Sequence, residues 1–123
     1  MDHGLMFNRL FGKDAAAENR IHIVRAYDVK AWLDAGEAVL VDVREAGEHA
    51  AEAIPGAINL PLSEFDPAQL PPVPAGKRLV FHCRSGVRCG TAAERAIAMG
   101  YEGEIYRLEG GIFGWKAVGG ETV

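Results

Sequence analysis

The stretch AVLVDV at 38–43 limits what this chain can fold into more than any other. Its apolar side chains do not alternate with polar ones, and only Asp42 breaks the run. A strand with one wet face alternates; a strand covered on both faces does not, and such strands belong to parallel sheets flanked by crossover helices. RLVFHC at 78–83 has the same character. Shorter strand signals stand at IHIV (21–24), at 57–60 after the Pro55-Gly56 turn, and at EIYRL (104–108). Helical spacing fills the gaps. AYDVKAWLDAG (26–36) sets Val29, Trp32 and Leu33 on one face and closes on Gly36. EAGEHAAEA (45–53) is helix-prone, RCGTAAERAIAMG (88–100) aligns Ala92, Ala93, Ala96 and Ile97, and GGIFGWKAV (110–118) reads as a short last helix. The segment 62–77 holds four of the six prolines and reads as a loop with one helical turn at most.

Strands alternating with helices predict an α/β domain around a parallel sheet. The regular part is one domain over 20–118, preceded by a flexible or loosely docked segment 1–19 and followed by a tail 119–123. Within the first segment GLMFNRLFG (4–12) reads as a frayed terminus, or as an amphipathic turn that docks on the body or a partner. A net charge of −4 argues against nucleic acid, whose phosphates call for clustered Lys and Arg. No run approaches the ~20 apolar residues that span a bilayer, and the first residues lack a signal peptide's apolar core, so the expectation is a cytoplasmic protein with no membrane partner.

The two cysteines, Cys83 and Cys89, fall within FHCRSGVRCG (81–90). Two are too few for a disulfide scaffold. Cys83 ends a strand, and open α/β sheets place ligand sites outside the carboxyl ends of their strands. Between it and the next helix lie Arg84, Ser85, Gly86, Val87 and Arg88. A helix N-terminus leaves N–H groups without partners and carries partial positive charge. A glycine lets successive N–H groups turn into an anion-binding concavity, and the two arginines add charge. A thiol at the centre of such a cradle ionises more readily. Ionisation alone is a modest gain. Lowering a thiol pKa from about 8.5 to about 6.5 raises the thiolate fraction at pH 7 roughly 25-fold, while the loss of nucleophilicity takes back roughly 8-fold. Holding an anionic substrate and an anionic sulfur product is the larger benefit. The opposing reading is an inert buried cysteine.

His82 neighbours Cys83, but adjacent strand residues face opposite sides, so a satisfied, partly buried histidine is expected and not a base for the thiol. His49, His82, Cys83 and Cys89 lack the paired spacing of a zinc site, and no metal or cofactor is expected. Cys89 reads as a small packing residue on the first helical turn. Its other reading is a resolving thiol that attacks an oxidised or persulfidated Cys83.

CRSGVR (83–88) resembles the six-residue active-site loop of the rhodanese-like domains, the thiosulfate sulfurtransferases. VDVRE (41–45), EHAAEAIPGAINLP (48–61) and LEGGIFGW (108–115) resemble three further stretches of that family in the same order. The resemblance implies a three-layer rhodanese-like fold, with a central parallel five-stranded sheet and helices on both faces. It implies a double displacement in which Cys83 takes the outer sulfur of thiosulfate, or of a persulfide donor, and passes it to cyanide or a thiol. The backbone N–H groups of residues 84–88 would cradle the persulfide, and Arg84 and Arg88 would draw in the anion. Asp42, Arg44 and Glu48 carry over as supporting residues, with Arg44 and Glu48 expected to pair. Where the family reads Gly-His before Ile-Pro-Gly, this chain has Glu52 and Ala53, which puts the hydrogen bonding there in question. A protein sulfur-relay partner, with the domain as a persulfide carrier, would use the same chemistry. A cysteine-dependent phosphatase fits less well, because its Cys-x5-Arg loop is one residue longer and the fifth residue past Cys83 here would have to be followed by an arginine that is instead Cys89.

Overall fold

A computed structural model of the chain describes residues 19–123; the expectations for the segment 1–19 fall almost wholly outside them. Five strands, β1 (Ile21–Val24), β2 (Ala38–Asp42), β3 (Ile58–Asn59), β4 (Arg78–His82) and β5 (Ile105–Leu108), form one sheet in the order β1-β5-β4-β2-β3. Every pairing is parallel. The central strand β4 is flanked by the two apolar neighbours that the patterning demands, with Leu79 opposite Val39 on β2 and Ile105 on β5.

The pleat sorts each strand's residues between two cores. Leu79 and Phe81 join Val41, Val43 and Ile105 under helix α3 (Arg88–Ala98), whose Cys89, Ala92, Ala93 and Ala96 are all fully buried. Val80 goes to the other face with Leu40 and Leu108, beneath Ala26 and Val29 of α1 (Ala26–Asp34) and Ile112 and Trp115 of α4 (Gly111–Ala117). Helices therefore cover both faces, as the apolar runs require. The short helix α2 (Ala46–Ala51) buries none of its residues. Its first turn is held by a capping box, Glu45 and Glu48 each bonding the other's backbone N–H.

The strand signals run long by a residue or two at their ends: β2 stops at Asp42 and β4 at His82, so Cys83 is the first residue past its strand. The proline-rich segment makes two 3-10 turns where one was expected, Leu62–Glu64 and Pro67–Gln69. The second is started by Asp66, whose side chain accepts from the Ala68 N–H at 2.9 Å. Phe65 anchors this loop edge-on to Phe81 at 5.8 Å between ring centres. Residues 119–123 are docked: Val123 and Ala53 exchange backbone hydrogen bonds at 2.8 and 3.0 Å, and the Trp115 indole donates to the Glu121 carbonyl at 2.7 Å. No helix among the described residues is long and apolar enough to cross a membrane.

Candidate active site

Cys83, Arg84, Ser85, Gly86 and Val87 turn the chain from β4 into α3, which begins at Arg88. The turn needs a positive φ, +110°, and the chain meets it with Gly86. From the far side α4 closes on the same loop. Its Ile112 N–H donates to the Cys83 carbonyl at 2.9 Å, an approach so close that a Cβ on Gly111 would collide with that carbonyl. The glycine pair before α4 is thus a packing requirement of the cysteine loop.

The thiol of Cys83 lies inside this turn, in a residue only 1% exposed, while Arg84, Ser85 and Val87 around it are exposed. Burial by itself would keep a thiol protonated. Here the Cys89 thiol hydrogen-bonds to the Cys83 sulfur, and the backbone N–H groups of Cys89, Gly86 and Ser85 add to it; together they outweigh burial and bring the Cys83 pKa down to about 5. The Gly86 N–H stands 3.1 Å from the sulfur. The proton is held instead by Cys89, whose thiol is pushed well above its ordinary range by the Cys83 sulfur and by burial, and whose single S–H is shared between that sulfur and the Gly86 carbonyl 3.2 Å away. At neutral pH the pair is one thiolate and one thiol, and Cys89 is a hydrogen-bond donor as well as a packing residue.

The supporting residues pair differently from expectation. Glu48 binds Arg88 and not Arg44, with both carboxylate oxygens on both terminal nitrogens at 2.7 and 2.9 Å. This pair holds the Glu48 carboxyl down at about 2. It also means that the Arg88 guanidinium is occupied. Arg84 forms no ion pair among the described residues and lies over the Phe113 ring at 5.1 Å, on the exposed side of the loop. Arg44 instead folds back on Asp42, its Nε and Nη2 reaching the carboxylate at 3.0 and 2.7 Å, its backbone N–H adding a bond at 2.9 Å and its Nη2 also reaching the Glu52 carbonyl at 2.7 Å. The physical reason is burial. Asp42 is wholly buried at the end of β2, and a buried carboxylate takes the nearest guanidinium that can saturate it. Burial pushes the Asp42 carboxyl up, but Arg44, His82 and His49 prevail and keep it below its usual value.

His82 faces away from the Cys83 sulfur, as the alternation predicts, but it is neither partly buried nor satisfied. It is fully buried, its Nδ1 lies 3.1 Å from the Cys83 carbonyl, and its Nε2 has no hydrogen-bond partner among the described residues. Asp42 is 3.7 Å from that Nε2, too far for a hydrogen bond. Desolvation lowers the His82 pKa, so the ring is neutral at pH 7. The hydrogen bonding around Glu52 and Ala53 is met by the chain's own end: Thr122 and Lys116 bind the Glu52 carboxylate, and Val123 pairs with Ala53.

Two contributors escaped the sequence reading. His49 donates from Nδ1 to Asp42 Oδ2, 2.8 Å away, and completes that carboxylate's shell. Arg107 reaches from β5 to the Gly86 carbonyl at 2.9 Å. Its signal was present, since an arginine at the inward position of IYRL has no apolar reason to be there.

The chain is also similar to known proteins in sequence and fold. The family described as "Rhodanese-like domain" matches residues 25–118. The chain is 46% identical over 85 residues to the uncharacterized protein slr1261 of Synechocystis, covering 69% of this chain and 46% of that one, so it spans about half of that relative's length. It is 35% identical over 86 residues to a protein named sulfurtransferase from Allochromatium vinosum, covering 70% of this chain and 78% of that one. Among solved structures, thiosulfate sulfurtransferase from Pseudomonas aeruginosa superposes with a TM-score of 0.74 at 28% identity, covering 98% of this chain and 22% of that one.

Proposed function

This chain belongs to the rhodanese-like domain family, and from that premise we propose that it is a sulfurtransferase that carries sulfane sulfur on Cys83. The observation that carries the reading is geometric: the Cys83 thiol sits inside a turn whose Gly86 N–H points at its sulfur from 3.1 Å, and the donors around it favour the thiolate. The donor is thiosulfate or a persulfide. With thiosulfate, the Cys83 thiolate attacks the outer sulfur, the S–S bond breaks, and its electron pair leaves with sulfite. The outer sulfur stays on Cys83 as a persulfide anion. Cyanide or a thiolate acceptor then attacks that outer sulfur, and the Cys83 thiolate is the leaving group. Charge is conserved in both steps, and no proton need move.

The same N–H groups serve both states, because thiolate and persulfide anion carry the same charge in nearly the same place. Such preorganised donors need no rearrangement between half-reactions. Arg84 is the cation free to meet an incoming anion, while Arg88, tied to Glu48, holds the first turn of α3 in position.

Intact mass after exposure to thiosulfate tests the reading. The expected product is a gain of one sulfur, about 32 Da, that is lost on adding cyanide and never appears in Cys83→Ser. Loading that persists in Cys83→Ser, or none in the wild-type chain with either thiosulfate or a low-molecular-weight persulfide, overturns it.

A further inference from the structure

The sulfur-transfer reading leaves one charged group beside the loop without a task. Arg107 lies on the same face of the sheet as Cys83, since Ile105, two residues before it, belongs to the core under α3. Its Nη2 donates to the Gly86 carbonyl at 2.9 Å. That carbonyl also accepts the Cys89 thiol at 3.2 Å, and the N–H of the same glycine points at the Cys83 sulfur at 3.1 Å. Gly86 therefore joins two groups on its carbonyl, Arg107 and Cys89, to the sulfur at its N–H. At φ +110° and with no side chain of its own, its orientation is set by whatever binds its two polar ends.

Beyond that carbonyl and the Cys89 side chain, Arg107 is short of partners. Its Nε is buried and unbonded, and among the described residues no carboxylate bridges to it. Leaving part of a guanidinium dry has a cost unless an anion lies nearby. Of the arginines around the loop, Arg88 is neutralised by Glu48 and Arg84 sits outside on Phe113. Arg107 approaches from the inner side. α3 makes room for it: a Cβ on Gly90 would stand 2.8 Å from both the Arg107 Cζ and its Nη2. A glycine in the first turn of a helix otherwise packed with alanines is a poor helix former. Here its missing side chain is the guanidinium's seat.

We propose that Arg107 is a positioning residue of this site: it fixes the Gly86 carbonyl from beneath, so that the Gly86 N–H is aimed at the Cys83 sulfur, and it brings positive charge to the inner side of the anion. Gly90 leaves the space in which it sits. The proposal rests on the reading of Cys83 as the nucleophile.

The charged and titratable groups around the Cys83 loop are Cys89 and Arg88 from α3, with Glu48 of α2 behind Arg88, Arg107 from β5 on the Gly86 carbonyl, and His82 and Arg84 on either side of Cys83 in the chain. The test is the rate of Cys83 alkylation by iodoacetamide against pH on the full chain, the modified peptide identified by mass and the thermal midpoint recorded beside it. Wild type is expected to reach half its limiting rate near pH 5. Arg107→Ala should move that point up by about one unit, a roughly tenfold slower reaction on the acid side. Gly90→Ala, whose methyl displaces the flexible arginine and favours the helix, should move it the same way without lowering the thermal midpoint. An unmoved profile in Arg107→Ala overturns the proposal, even if that variant melts earlier. Should Arg107→Ala not fold, Gly90→Ala decides by the same criterion. Thiosulfate loading is scored separately: a moved profile without loading keeps this proposal and rejects thiosulfate transfer, and loading with unmoved profiles does the reverse.

Discussion

The carboxyl ends of β2 and β4 lie side by side, and each buries an anion, but the two anions are held in opposite ways. Asp42, at the end of β2, is wrapped by the Arg44 guanidinium and backbone N–H and by the His49 imidazole. Cys83, one residue beyond β4, is met mainly by neutral donors: the Cys89 thiol and three backbone N–H groups. Asp42 lies on the Leu40 side of the sheet, two residues along β2, and Cys83 on the side covered by α3. A carboxylate saturated by a fork of charged donors has no lone pair left for chemistry. A thiolate stabilised by neutral dipoles keeps its charge and gives up only part of its nucleophilicity, while Arg88, the first residue of its helix, is tied to Glu48. Structural anions are neutralised; reactive ones are solvated by the fold.

The largest effect should come from breaking the structural side. Arg44→Ala strips the counter-ion from a wholly buried carboxylate, and losing one partner of a buried pair costs about 3–5 kcal/mol. Urea unfolding measures it, and a loss below about 1 kcal/mol would remove the distinction drawn here. Folded Arg44→Ala is expected to retain a low Cys83 pKa, because the two anions share no donor among those described.

The reactive side is sharpened by pH. With a pKa of about 5, Cys83 is ionised throughout the neutral range, so its alkylation rate should be flat from pH 6 to 8 and fall only toward pH 5. An ordinary thiol would slow roughly a hundredfold over pH 8 to 6. The sign for stability follows from the same depression. The folded chain holds one proton fewer than the unfolded one between about 5 and the ordinary thiol range, so this group's contribution grows with pH across that window and is lost as pH falls through about 5. Cys83→Ser should flatten that part of the stability curve.

The smallest effect lies between the two regions. Glu48→Gln breaks a pair whose side chains are about one-third exposed, so the stability loss should be about 1 kcal/mol or less. Because the Glu48 pKa is depressed to about 2, that contribution is complete above about 4.5 and disappears as pH falls through 2. The released Arg88 should raise the rate of alkylation by anionic iodoacetate relative to neutral iodoacetamide by a few-fold at low salt. An unchanged ratio would mean that Arg88 is not the charge Glu48 restrains.

How much of this was legible in one dimension differs from element to element. The parallel sheet was visible in AVLVDV and RLVFHC, because burial on both faces is a property of each strand's own side chains. The loop from Cys83 to Arg88 was visible for the same reason. A strand end, a glycine and a helix start follow one another within six residues, and the chain's own geometry turns the N–H groups toward the sulfur. Even the direction of His82 followed from the pleat. What spacing could not supply was partners. Whether Glu48 would meet Arg44, four residues away, or Arg88, forty residues on, depended on which helix packs beside α2. The seat of Arg107 against Gly90 and the pairing of Val123 with Ala53 likewise join segments that only the assembled layers bring together. Local periodicity and loop chemistry are short-range and belong to the sequence; ion pairing is a competition among all the charges a fold gathers, and only tertiary packing decides which of them are near enough to win.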